Sequence, residues 1–98
     1  MDYLIELVSL TFTTDELHQR VPHESRRPIW AHIQSVSRAE WFQGGQNGLK
    51  PEYKVTMFAP DYSGQQEVEY KGIKYGIYRT YLRQDELLEL YLERKTGV

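Results

Sequence analysis

Glu67-Val68-Glu69-Tyr70-Lys71-Gly72-Ile73-Lys74-Tyr75-Gly76-Ile77-Tyr78-Arg79-Thr80-Tyr81 is the stretch on which the fold turns. Residues 67–70 and 73–81 are rich in the β-branched and aromatic side chains that suit a pleated, half-buried surface. Only Lys71 and Gly72 lie between them. So short a connection all but forces an antiparallel hairpin, with Gly72 expected in the left-handed conformation at a bulge.

The same punctuation repeats on both sides. Residues 53–58 read as a strand, and Pro60-Asp61-Tyr62-Ser63-Gly64 as the turn that joins it to the hairpin, with Asp bonding the backbone ahead and Gly free to take positive φ. Arg83-Gln84-Asp85 makes a further turn. Beyond it Leu88, Leu90 and Leu92 alternate with Glu89, Tyr91 and Glu93, which predicts a last strand with one apolar face. A helix from Asp85 onward is the alternative, since Leu, Glu and Arg favour helices. Toward the N-terminus, residues 3–12 carry Leu4, Val8, Leu10 and Phe12 on one parity and Tyr3, Ile5 and Leu7 on the other. That pattern predicts a long strand buried on both faces in its first half. Pro22 and Pro28 bound a polar segment, residues 18–27, read as a mobile loop leading to an edge. Residues 29–36 read as the second strand, with Ile29, Ala31 and Ile33 set against Trp30, His32 and Gln34.

Ser37-Arg38-Ala39-Glu40 matches a capping box: the serine hydroxyl accepts from the backbone N–H three residues on, and the glutamate reaches back. A short helical turn is expected there. Gly44, Gly45 and Gly48 each cost about 1 kcal/mol relative to alanine in a helix interior, so residues 43–51 are expected to form a glycine-rich loop. About six strands joined by hairpins must bury one face and hide their edges, which a chain of 98 residues does by curling into a small antiparallel barrel or sandwich. The expectation is an all-β fold in one domain spanning residues 1–98.

Composition narrows the function. With no cysteine the chain has neither disulfides nor thiolate metal sites, which fits a reducing cytoplasm. No apolar run reaches the ~20 residues of a spanning helix, so no membrane role is expected. Asp2 and Glu6 stand where a secretory signal carries Lys or Arg, which argues against export. The net charge of −2 lacks the basic excess that rewards tight nucleic-acid binding. His18, His23 and His32 have no metal-ligand spacing. Glu67 with Glu69, and Glu89 with Glu93, read as like charges on solvent faces, because an acid/base pair needs a pocket to split its pKa values. The serines lack nucleophile-elbow glycines, and Gly44-Gly45-Gln46-Asn47-Gly48 lacks the Lys-Ser/Thr ending of a phosphate loop. No enzymatic activity and no cofactor are expected. Aromatic residues make up 13% of the chain and fall on both strand parities, so several should be exposed as they are at protein interfaces. Base stacking on a barrel surface is the other use for them.

Four blocks carry a resemblance: residues 35–53 (Ser35-Val36-Ser37-Arg38-Ala39-Glu40-Trp41-Phe42-Gln43-Gly44-Gly45-Gln46-Asn47-Gly48-Leu49-Lys50-Pro51-Glu52-Tyr53), residues 67–75, residues 77–81 and residues 89–93. Together, in this order, they resemble the head-tail joining (head-closure, head-tail adaptor) family of long-tailed bacteriophages and prophages, over about residues 35–93. The resemblance implies a small β-barrel with a short helix and a long loop, made in the bacterial host cytoplasm and built into the virion. There it would act as a subunit of a ring, commonly of twelve copies, below the portal-adaptor ring. It would close the DNA-filled capsid and offer a docking face to tail-terminator and tail proteins, while packaged DNA passes without specific binding. Trp41, Phe42, Gln43, Gly44, Gly45, Gln46, Asn47, Gly48, Leu49, Lys50 and Pro51 correspond to a loop near the channel, a candidate gate or neighbour clasp. Arg38, Glu40, Tyr78, Arg79 and Tyr81 are candidate interface residues. A single-stranded nucleic-acid-binding barrel is the alternative function.

Overall fold

The computed structural model of the chain describes residues 2–95. Strands β1 (Asp2–Thr14), β2 (Arg20–Ser35), β3 (Pro51–Phe58), β4 (Glu67–Tyr70), β5 (Ile73–Leu82) and β6 (Leu87–Arg94) form one antiparallel sheet, and helix α1 (Arg38–Gln46) joins β2 to β3. The strand order β1-β2-β3-β6-β5-β4 closes into a barrel where β4 pairs back on β1. Alternation places Ile5, Leu7, Ile29, Ala31, Val55, Met57, Val68, Leu88, Leu90 and Leu92 inside, as the two-residue period of strands requires. Tyr53, Tyr70 and Tyr75 complete the filling as an edge-to-face chain with centroids 5.7 and 5.4 Å apart, a geometry in which a ring edge meets its neighbour's negative face.

The last segment is a strand. Leu88, Leu90 and Leu92 all point inward, and Leu90 is fully buried, so the two-residue period outweighs helix propensity. The hairpin between β4 and β5 has its two-residue connection, but the turn differs from the expectation. Lys71 (φ 52°) and Gly72 (φ 78°) both take positive φ, and Tyr70 pairs directly with Ile73. This is a type I′ turn with no bulge, whose twist matches that of the strands it joins. A lysine in the left-handed region is strained, whereas asparagine tolerates it. Lys71→Asn is therefore expected to raise stability by roughly 0.5–1 kcal/mol, readable as a higher urea midpoint.

Two expectations near the N-terminus fail. Residues 18–27 are not a loop: all but the first two belong to β2, which pairs with β1 from Thr14↔Arg20 to Asp2↔His32. Both prolines fall where β2 pairs with β1 alone, since its pairing with β3 covers His32 to Ser35. An edge of that kind tolerates a residue without an N–H. Nor is the first half of β1 buried on both faces: Tyr3 and Leu4 are exposed, and the buried residues are Ile5, Leu7 and Val8. β4 reaches β1 only at Glu6, Leu7 and Val8. Beyond Val8 the β1–β2 pair therefore continues as a two-stranded arm that no third strand flanks.

At the foot of the arm Glu6 faces Glu69 across the β1–β4 seam, a repulsive pairing by itself. Arg26 resolves it. Its guanidinium donates to Glu6 (3.2 Å), Glu69 (2.9 Å) and Glu24 (3.3 Å), while Lys74 donates to Glu24 at 2.7 Å. The Lys74 hydrogen bond holds the Glu24 carboxyl below the usual glutamate value of 4.5. A depressed folded-state pKa stabilises the fold above the unfolded value and loses that stabilisation as pH falls. Acidification through pH 4.5 and below is thus expected to lower the thermal midpoint, with a shallower pH dependence in Lys74→Gln.

Candidate interaction surface around the helix

Helix α1 begins at Ser37, whose hydroxyl accepts from the Glu40 N–H at 3.1 Å, a side-chain cap of the kind anticipated. The helix then runs through Gly44 and Gly45 to Gln46, so the loop is confined to residues 47–50. Its end follows a Schellman pattern. The Leu49 N–H reaches the Gly44 carbonyl (2.8 Å), the Gly48 N–H reaches that of Gly45 (3.2 Å), and Gly48 takes φ 79°. Gly48 is thus the stop signal. Gly44 is a contact residue, because a Cβ there would overlap the Pro51 ring, whereas one on Gly45 would meet nothing within 4 Å. The expectation that glycines would dissolve the helix failed because one of them permits close packing on β3 and another ends the helix.

The candidate interface residues divide. Glu40, Tyr78 and Arg79 meet in an internal clasp. The Tyr78 hydroxyl donates to Glu40 at 2.9 Å, Arg79 donates to the other oxygen of the same carboxylate, and the Arg79 guanidinium lies 3.8 Å from the centre of the Tyr91 ring. Burial, and then the bond to Glu40, raise the Tyr78 pKa far above that of a free tyrosine, so the hydroxyl stays a donor. Glu40 therefore ties α1 to β5 in place of reaching back to Ser37. Sequence reading could not find this clasp, whose members lie 38 and 39 residues apart. Tyr81, farther along β5, is exposed and stands outside it.

Among the remaining residues, Gln43 accepts from the Asn47 side chain through its carbonyl, Lys50 accepts from the Arg94 N–H, and Pro51 is buried at the start of β3. Trp41 and Phe42 are different. They are 55% and 57% exposed and touch edge to face with centroids 5.3 Å apart. With Val36 and Pro51 they line an open groove of about 620 Å³ whose other walls include Arg38 and Glu52. Its makeup of paired aromatics, a proline and an arginine is that of a protein contact surface.

No protein-family model matches the chain, and no curated protein matches it. No helix among the described residues is long and apolar enough to cross a membrane.

Proposed function

We propose that the chain is a ring subunit of a phage or prophage head-tail connector, closing the capsid below the portal-adaptor ring and presenting a docking face to the tail. One observation carries the reading. The longest block of the resemblance, residues 35–53, folds into a helix and groove whose two largest aromatic side chains are left uncovered beside Arg38. On a small barrel such a surface is of use when another protein covers it. In this reading α1 acts as a neighbour-contact element, and the neighbour clasp is preferred to a flexible gate for residues 41–51 because Gly44 serves packing and Gly48 serves capping. A structural role in the virion requires no catalytic group and no cofactor.

The rival function, stacking single-stranded nucleic acid on exposed aromatics, has less support. The net charge of −2 lacks the basic excess that a strand-tracking groove uses, and the exposed rings are spread over different elements, Trp30 on β2 and Trp41 and Phe42 on α1.

Mixing the purified chain with its cognate portal-adaptor assembly and imaging by negative-stain microscopy separates the two. An added ring of density on the adaptor is the expected result. An unchanged assembly, together with steeply salt-dependent binding to a single-stranded oligonucleotide, would overturn the connector reading in favour of the rival.

A further inference from the structure

We propose that the β1–β2 arm of one copy docks in the Trp41–Phe42 groove of the next copy, so that subunits join head to tail. This rests on the ring-subunit reading and names the two surfaces that make the ring's contact.

The arm shows an inversion of polarity where it leaves the barrel. The register that points inward at Ile5 and Leu7 continues beyond the barrel as Ser9, Thr11 and Thr13, facing Ser25, His23 and Val21. The outward register, polar on an ordinary free hairpin, instead carries Leu10 and Phe12 on β1, 47% and 48% exposed, with Pro22 opposite Phe12 and Glu24, held by Arg26 and Lys74, opposite Leu10. An apolar stripe on the solvent side of a projecting hairpin is a face that awaits a partner. The tip has a fixed shape: the Asp15 carboxylate accepts from the Leu17 and Gln19 N–H groups at 2.9 and 2.8 Å, and Leu17 is 75% exposed there.

The groove complements the arm. It is apolar and, at about 620 Å³, of a size that receives compact apolar bodies. Arg38 and Glu52 line it, and the arm brings Glu16 at its tip and Arg20 over the Phe12 ring at 4.4 Å. Among the described residues none of these four takes part in an ion pair. Each surface therefore carries one cation and one anion to exchange.

Placement excludes a contact within one chain. The arm grows from the first residues of β2, and α1 follows its last; the strand has 16 residues, about 50 Å at the rise of a strand. The longest dimension of the molecule is 49 Å. Unlike surfaces at opposite ends of a subunit make a heterologous contact, which gives a ring where its rotation closes and an open filament where it does not.

The absence of cysteine makes a disulfide test clean. Phe12→Cys with Phe42→Cys in one full-length chain is oxidised both free in solution and bound to the portal-adaptor assembly. The expected result is a ladder of linked multimers, with Thr13→Cys with Phe42→Cys, on the arm's other face, giving few. In the wild-type background Phe12→Asp is expected to weaken self-association in sedimentation by about tenfold or more, as loss of an aromatic anchor does, with an unchanged melting curve. Rings that assemble on the adaptor without a disulfide between the F12C and F42C positions overturn the arm-in-groove contact and leave the connector reading standing. Equal ladders from both cysteine pairs also overturn it. A chain that neither self-associates nor binds the adaptor overturns both readings.

Discussion

Leu90→Ala is expected to remove about 3 kcal/mol of stability, whereas Leu10→Ala is expected to change it by no more than about 0.5 kcal/mol. The two leucines are alike in type and both stand in strands. Leu90 is fully buried in the barrel core, paired with the buried Val55 of β3, and Leu10 is 47% exposed on the arm. Truncating the first forfeits its transfer free energy and leaves a cavity in a barrel whose wall cannot collapse inward. Truncating the second removes surface that water already touches. Urea unfolding monitored by tryptophan fluorescence reads the difference, and equal midpoints for the two variants would contradict the division of β1 and β2 into barrel and arm.

The neighbouring glycines of α1 are expected to respond with opposite signs. Gly45→Ala should stabilise the fold by about 0.5–1 kcal/mol, because alanine restricts the unfolded chain and favours the helix, and nothing obstructs the new methyl group. Gly44→Ala makes the same gain in propensity but drives its methyl group into the Pro51 ring. Pro51 is buried at the start of β3 and has no flexible end to swing aside. Overpacking of this kind costs about 1–3 kcal/mol, so a net loss of about 1–2 kcal/mol is expected, seen as a lower thermal midpoint. If both variants gain stability, α1 does not pack on β3 as described.

Strands from Tyr53 to the C-terminal leucines were legible because each is rich in β-prone residues and bounded by Gly, Pro or Asp, and the last alternates strictly. The connection at Lys71 and Gly72 was readable in length but not in turn type, because a lysine with positive φ gives no local signal. The arm was misread for a physical reason. Leu10 and Phe12 continue the spacing of a buried face, and periodicity reports which residues share a side without reporting whether anything covers it. Pro22 and Pro28 looked like breaks because proline disrupts a central strand, and the sequence does not show that this part of β2 is an edge. At the candidate surface, the capping serine followed from local pattern, whereas Trp41 and Phe42 entered only through the resemblance and their exposure is a finding of the structure. The union of Glu40 with Tyr78 and Arg79 did not, since it depends on how α1 lies across a strand far along the chain.

The join between β1 and β4 spans only Glu6, Leu7 and Val8, and the arm is rooted at that place. A pull applied at Phe12 works on this join through a lever of about 13 Å, four residues at the rise of a strand. The barrel's thinnest seam is thus its strain gauge: under such a pull separation starts there, and the Arg26 cluster is the bolt that resists it.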